Sequence, residues 1–202
     1  MATTRENKTI SQFKSALIGG GARPNLFEVE LTTLPEGISW DSDIFRYMCK
    51  AAQMPGQNIA SIDIPFRGRI FKVAGDRTID NWSITVIQDE DFRLRNAFEA
   101  WTQQIARLDN NLGATDPSSY MVNAKVFQLG RGSTPASTNS DGTANTVLKE
   151  YEFVDIFPIT VSPIDLSYDS GDTIEEFTVE LQVLYWESIK GVGANAGGES
   201  IS

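Results

Sequence analysis

The stretch Phe66-Arg67-Gly68-Arg69-Ile70-Phe71-Lys72-Val73-Ala74-Gly75-Asp76-Arg77-Thr78-Ile79-Asp80-Asn81-Trp82 decides how this chain reads. Arg67, Arg69 and Lys72 sit among the apolar side chains of Phe66, Ile70, Phe71 and Val73, the pattern of an extended segment. Glycine tolerates a positive φ and aspartate bonds nearby backbone donors. Gly75-Asp76-Arg77-Thr78 is therefore predicted to turn the chain sharply before it re-enters a strand at Trp82. Upstream, Ile59 to Phe66 and Arg69 to Val73 read as a pair of extended segments around Arg67-Gly68.

Strand patterning extends outward from this stretch. Trp82, Ile84 and Val86 alternate with Ser83 and Thr85, and Phe27, Val29 and Leu31 alternate with Glu28, Glu30 and Thr32. Phe45, Tyr47 and Cys49 opposite Arg46, Met48 and Lys50 predict a second strand between Pro35-Glu36-Gly37 and Met54-Pro55-Gly56. Tyr120 to Leu129, Val147 to Ile159 and a last strand from Glu176 to Tyr185 complete the set. Asp89 to Leu108 alone has a clear helical period. Leu94, Phe98, Trp101, Ile105 and Leu108 form one stripe, with Asp89, Glu90 and Asp91 expected in the first turn and Arg107 in the last. The expectation is a mainly β, α+β fold: a β-sandwich or partly closed barrel with one long flanking helix.

Residues 1–21 read as an N-terminal arm with a short helix at Ile10 to Ile18 and a hinge at Gly19-Gly20-Gly21. Residues 22–187 form the β domain, and 188–202 a small, polar tail. Gly130 to Asn145, rich in Gly, Ser, Thr and Asn, is expected as an exposed loop.

The 202 residues, 41% of them hydrophobic, suffice for one sizeable core. No run approaches a membrane-spanning length, and no signal segment is legible, so synthesis in the cytoplasm is expected. The single cysteine, Cys49, excludes an internal disulfide, and the absence of histidine removes Ser-His-Asp triads, Cys-His pairs and histidine metal centres. Paired carboxylates remain: Asp41 with Asp43, Asp89 to Asp91, Asp165 with Asp169 and Asp172, Glu175 with Glu176. Each is read as a helix end, a turn or a solvated strand edge before an active pair, and Asp165 to Asp172 lacks the EF-hand spacing. No catalytic residue, cofactor or metal is assigned. With a net charge of −10 the chain has no overall footprint for gripping DNA, and its local basic cluster, Arg67, Arg69, Lys72 and Arg77, suits an acidic surface on another copy.

Arg23-Pro24-Asn25-Leu26-Phe27, Cys49-Lys50-Ala51, Val73-Ala74-Gly75-Asp76-Arg77-Thr78, Trp82, Trp101 and Tyr185-Trp186-Glu187 occur in an order and spacing that resembles the tail tube family of contractile-tailed bacteriophages, whose relatives form the inner tubes of pyocins, type VI secretion and other contractile injection machines. The resemblance covers most of 22–187. It implies a structural subunit whose sheets join edge to edge into a ring, hexameric in that family, with rings stacked into a tube that conducts DNA. It further implies a tail sheath protein outside, baseplate and tail terminator proteins at the ends, and DNA and tape-measure protein in the lumen without specific binding. The place is the virion tail, assembled in the host cytoplasm. Arg23, Asn25, Arg67, Arg69, Asp76 and Arg77 are then candidate subunit-contact or motif residues, and the loops Leu34 to Asp43 and Gln53 to Pro65 are candidates to reach the next ring. The polar face of the last strand makes Glu176 and Glu180 candidates to line the lumen, where carboxylates repel phosphates. A baseplate tube-initiating ring or an injection-system inner tube is the alternative. A secreted binding module and a carboxylate hydrolase are the rivals of other classes. A binding module calls for a signal segment or disulfides, and a hydrolase calls for two specific acids in a monomer.

Overall fold

The computed structural model describes residues 9–17, 21–130 and 147–190. The predicted loop Gly130 to Asn145 lies almost entirely outside them, as do Gly19, Gly20 and the tail from 191.

Among the described residues nine strands and three α-helices follow one another as α1 (Ile10–Ala16), β1 (Phe27–Leu31), α2 (Ser42–Met48), β2 (Cys49–Gln53), β3 (Gln57–Phe66), β4 (Arg69–Ile79), β5 (Trp82–Ile87), α3 (Arg93–Ile105), β6 (Val122–Leu129), β7 (Val147–Val161), β8 (Glu176–Gln182) and β9 (Tyr185–Lys190). The strands run in the order β1-β6-β7-β8-β5-β2, all antiparallel, with β9 added to β7, while β3 and β4 form a separate two-stranded ribbon.

Strand β7 belongs to two sheets. Its first part pairs with β6 and β9, its last part with β8. Between Phe153 and Ile156 it carries one residue more than β6 does between Ala124 and Val122, and Asp155 there takes φ 52°. The Asp155 amide donates to Asn123 Oδ1 at 3.2 Å, which satisfies a donor the bulge has removed from the ladder. A bulge bends a strand and increases its twist, and this one lets β7 leave the first sheet and enter the second. Pro158, which has no N–H to offer, lies at the next register shift.

The two sheets face each other across Val29, Leu31, Ala124, Val126, Phe153 and Ile156 on one side and Trp82, Ile84, Val86, Phe177, Val179 and Leu181 on the other, all buried. Trp82 stacks on Phe153 with ring centroids 4.4 Å apart and planes 3° from parallel. Helix α3 closes the layer with Leu94, Ala97, Phe98 and Trp101, and the indole N–H of Trp101 donates to the Tyr120 carbonyl at 2.7 Å. The β-rich sandwich with a flanking helix is the expected one, and its sheets do not close into a barrel.

Four local expectations are corrected. Ser42–Met48 is helix, not strand: the Asp41 side chain caps it by accepting from the Ile44 amide at 3.1 Å, and Arg46 in its last turn bonds Glu30 of β1 at 3.0 Å. Phe45 and Tyr47 alternate, but Tyr47 is exposed while Ile44, Phe45 and Met48, at helical spacing, meet the core. Helix α3 is shorter than its stripe. Phe92 at φ 54° is its cap, so Asp89 to Asp91 precede the helix and Asp91 pairs with Arg93. The helix stops at Ile105, leaving Leu108 89% exposed and Arg107 outside the last turn, where its amide donates to Leu112 O. Strand β8 ends at Gln182 and the alternation stops after buried Val183: Tyr185, expected on the apolar face, is exposed, and Tyr185–Lys190 returns as a ninth strand along β7. Gln53 to Pro65 is not a loop but the end of β2 and most of β3.

Candidate assembly interface

The ribbon of β3 and β4 stands off the sandwich, and nearly every side chain on it is exposed. The two extended segments read on either side of Arg67-Gly68 are its strands, but the sharp turn expected at Gly75 to Thr78 is absent. Gly75 to Thr78 lie within β4, and the chain reverses at Arg67 (φ 45°) and Gly68 (φ 80°). Two central residues at positive φ make a type I′ connection, whose twist matches that of the flanking strands. Gly75 instead serves a bulge: β4 takes three steps from Ala74 to Arg77 while β3 takes two from Ser61 to Ile59. A Cβ on Gly75 would lie 3.1 Å from the Ala60 carbonyl oxygen and 3.2 Å from Ile62 Cγ1. Glycine is therefore needed for close backbone approach, and not for a left-handed turn.

Register decides what the ribbon presents. Ile62 faces Val73, Ile64 faces Phe71 and Phe66 faces Arg69, and residues directly opposite share a face. One face is thus Ile62, Ile64, Phe66, Phe71 and Val73, all exposed. The other holds Ser61, Ala74, Pro65 and Ile70, with Asp63 and Lys72 joined at 3.1 Å. Contiguous exposed apolar faces of this kind are characteristic of interaction surfaces.

The candidate contact residues occupy three places rather than one. Arg67 and Arg69 are at the ribbon tip, where the Arg67 guanidinium lies 5.5 Å from the Phe66 ring centre. Asp76 and Arg77 are at the bulge, about 25 Å further along β4 at a rise of ~3.3 Å per residue. Arg77 lines a 550 Å³ groove at the ribbon's base with Asp155, Phe157 and Leu184. Arg23 and Asn25 precede β1: the Gln128 side chain donates to the carbonyls of Arg23 (2.7 Å) and Leu26 (2.8 Å), anchoring the chain's entry. Asn25 lines a second groove, of 540 Å³, between β1 and β2 with Phe27, Lys50, Met54 and Tyr151. Alternation holds in β8: Glu176 and Glu180 project from the face opposite buried Phe177, Val179 and Leu181. They share that face with Ser83, Thr85 and Ile87, and Glu176 pairs with Lys50 at 2.5 Å.

The only cysteine is buried at Cys49, and burial pushes its thiol up to about 12. Among the described residues no group of three or more His, Cys, Asp or Glu is placed to hold a metal, and no helix is long and apolar enough to cross a membrane.

A sandwich that sends out a ribbon with an uncovered apolar face defines a class: a subunit shaped for assembly. The family model described as phage tail tube protein matches residues 22–188, and the chain belongs to that family. It is 35% identical over 169 residues to the tail tube protein gp19 of Enterobacteria phage T4 and 34% identical to that of phage T6, in each case across 84% of this chain and 93% of the relative. The fold is similar to chains in the anti-feeding prophage baseplate (TM-score 0.59, 10% identity, 84% of this chain and 95% of that one) and in the sheath-tube complex of an extracellular contractile injection system (TM-score 0.52, 14% identity, 92% and 100%). What sequence reasoning missed is the apolar ribbon face. Its signal was present as the alternation Ile62, Ile64, Phe66, which only the register with Phe71 and Val73 turns into a surface.

Proposed function

We propose that this tail tube protein works by self-association alone: copies close into rings, rings stack, and the channel passes DNA without binding or altering it. The single observation carrying the reading is the exposed apolar face of the β3–β4 ribbon in a chain of this family. Such a face suits a neighbouring copy, and the edges of β1, β2 and β9 that no strand among the described residues pairs offer backbone groups for edge-to-edge joining. Rings of six, a sheath outside, a baseplate and a terminator at the ends, and DNA with tape-measure protein inside make up the rest of the proposal, with assembly in the host cytoplasm and no catalysis. Arg23, Asn25, Arg67, Arg69, Asp76 and Arg77 are assigned to contacts between copies, and Glu176 and Glu180 to the channel wall. The division into arm (1–21), tube domain (22–187) and tail (188–202) belongs to the same proposal. Electron microscopy of the purified protein at rising concentration, with sedimentation across salt and pH, tests it. Rings or tubes are expected, and a monomer under every condition refutes it.

A further inference from the structure

Strand β7 ends at Val161 and β8 begins at Glu176, and the connection between them forms neither helix nor strand. Its length is at the ~12–15 residues beyond which structureless loops are uncommon and tend to carry function. Both ends are held. The Ser162 amide donates to Thr178 O at 2.8 Å, the Arg95 guanidinium donates to Ser162 O at 2.7 Å, and the Gln88 amide donates to Glu175 O at 2.9 Å. Between these anchors Leu166, Tyr168 and Ile174 are exposed, and the only charges are those of Asp165, Asp169, Asp172 and Glu175. Among the described residues none of these four carboxylates has an ion-pair partner. The loop is a fixed surface, apolar and acidic, with nothing of its own chain upon it.

The ribbon carries the complementary pattern. Phe66 lies opposite Arg69, so that arginine closes the apolar face at the tip, and the Arg67 guanidinium sits against the Phe66 ring. Lys72 and Asp63 neutralise each other on the other face, whereas no carboxylate among the described residues pairs with Arg67 or Arg69. The grooves offer no such match. The one between β1 and β2 is lined by Lys50 and by no carboxylate. The one at the ribbon's base sets Arg77 beside Asp155, and a third, beside α3, sets Arg93 beside Asp41.

Register puts ribbon and loop at opposite ends of the second sheet. The ribbon springs from the end at Gln53 and Trp82, while Ile87, at the far end of β5, lies opposite Glu176, where the loop finishes. Five steps at ~3.3 Å set the two ends about 17 Å apart. The ribbon's base is pinned, with the Asp80 amide donating to Gly56 O and the Asn58 side chain donating to Asp80 Oδ1, each at 3.2 Å. Its strands are bonded to each other along their length and exposed on both faces, so it does not lie back along its own sandwich. One copy thus presents the ribbon at one end and the loop at the other, each uncovered.

We infer that the apolar face of the ribbon docks on the β7–β8 loop of a second copy, with Ile64, Phe66 and Phe71 against Leu166, Tyr168 and Ile174, and with Arg67 and Arg69 among the loop's aspartates. Apolar centre and complementary charged margin are what a specific contact requires. The contact is head-to-tail, so it propagates from copy to copy instead of closing a pair. It rests on the self-association proposed above and names the surface that the ribbon meets.

Cross-linking and charge exchange test it together. The one native thiol, Cys49, is buried, so introduced cysteines report alone. Chains carrying Ile64→Cys are mixed with chains carrying Ser170→Cys under assembly conditions and treated with a short bismaleimide. A covalent dimer is expected from the mixture, and no internally bridged monomer from the double variant at high dilution. No dimer from the mixture, or a bridged monomer at dilution, overturns the inference. In the second arm, Arg67→Asp with Arg69→Asp, or Asp169→Arg with Asp172→Arg, sets like charges face to face and is expected to raise the concentration needed for assembly about tenfold or more. Aspartate accepts the positive φ at 67 and precedes Gly68, so the tip turn is preserved. All four substitutions in one chain are expected to restore assembly to within about threefold of wild type, because the two sites act on each other. Unchanged assembly in either pair, or no restoration in the combination, also overturns the inference. If wild-type protein assembles while these results fail, this contact alone is refuted. If wild-type protein never assembles, both readings fall.

Discussion

Replacing Ile64 and Phe71 by threonine separates assembly from folding. The two residues are cross-strand partners on the ribbon's apolar face, 46% and 64% exposed. Threonine keeps the β-propensity of the site, so the ribbon itself is preserved. Each side chain retains roughly half its surface in water, and completing its burial against another copy is worth about half of the ~1.5–3 kcal/mol assigned to full burial. The pair then contributes about 1.5–3 kcal/mol to each contact. At ~1.4 kcal/mol per tenfold, association weakens roughly 10- to 150-fold. The subunit, whose core lies elsewhere, changes by ~0.5 kcal/mol or less. Sedimentation velocity over a concentration series reads the first quantity, and urea unfolding of dilute subunit reads the second. Assembly at the wild-type concentration refutes the interface. A loss of more than ~2 kcal/mol in the subunit, beyond the range of surface changes, shows instead that the ribbon packs on its own domain.

Gly75→Val places a branched side chain where a Cβ already meets Ala60 O and Ile62 Cγ1. The expected cost is ~1–3 kcal/mol of overpacking, with loss of assembly; wild-type stability in urea contradicts the bulge account. Trp82→Ala removes the ring stacked on Phe153 and is expected to cost ~3–5 kcal/mol, read by thermal unfolding. Lys125 is raised by its hydrogen bond to Glu150, and more weakly by the charge of that and neighbouring acids, against a smaller opposing effect of burial. Its contribution is therefore fully present below the ordinary lysine value of 10.5 and fades as pH rises through the higher folded value. The stability gap between wild type and Lys125→Met should narrow in that window, and a constant gap argues against the ion pair. Glu176→Lys with Glu180→Lys should leave tubes intact but make them retain DNA at low salt; equal release of DNA moves these residues off the channel wall.

Much of this protein is written locally. Alternation in β1, β5, β6 and β8 requires one apolar and one polar face, and that periodicity survives folding because each strand meets the core on one side. The stripe of α3 is equally local, as is the capping box of α1. The absence of histidine and the single cysteine restrict the chemistry without any structure. Tertiary structure decided the rest. Ser42–Met48 carries a pattern compatible with strand or helix, and the choice fell to Arg46 reaching β1 and Phe45 reaching the core. The Gly75 bulge was indistinguishable from a turn, because both use glycine and only the partner strand shows whether the chain reverses or is crowded. The apolar ribbon face exists only through register: which residues of β3 lie opposite which of β4 is a property of two segments together, and no single segment encodes it.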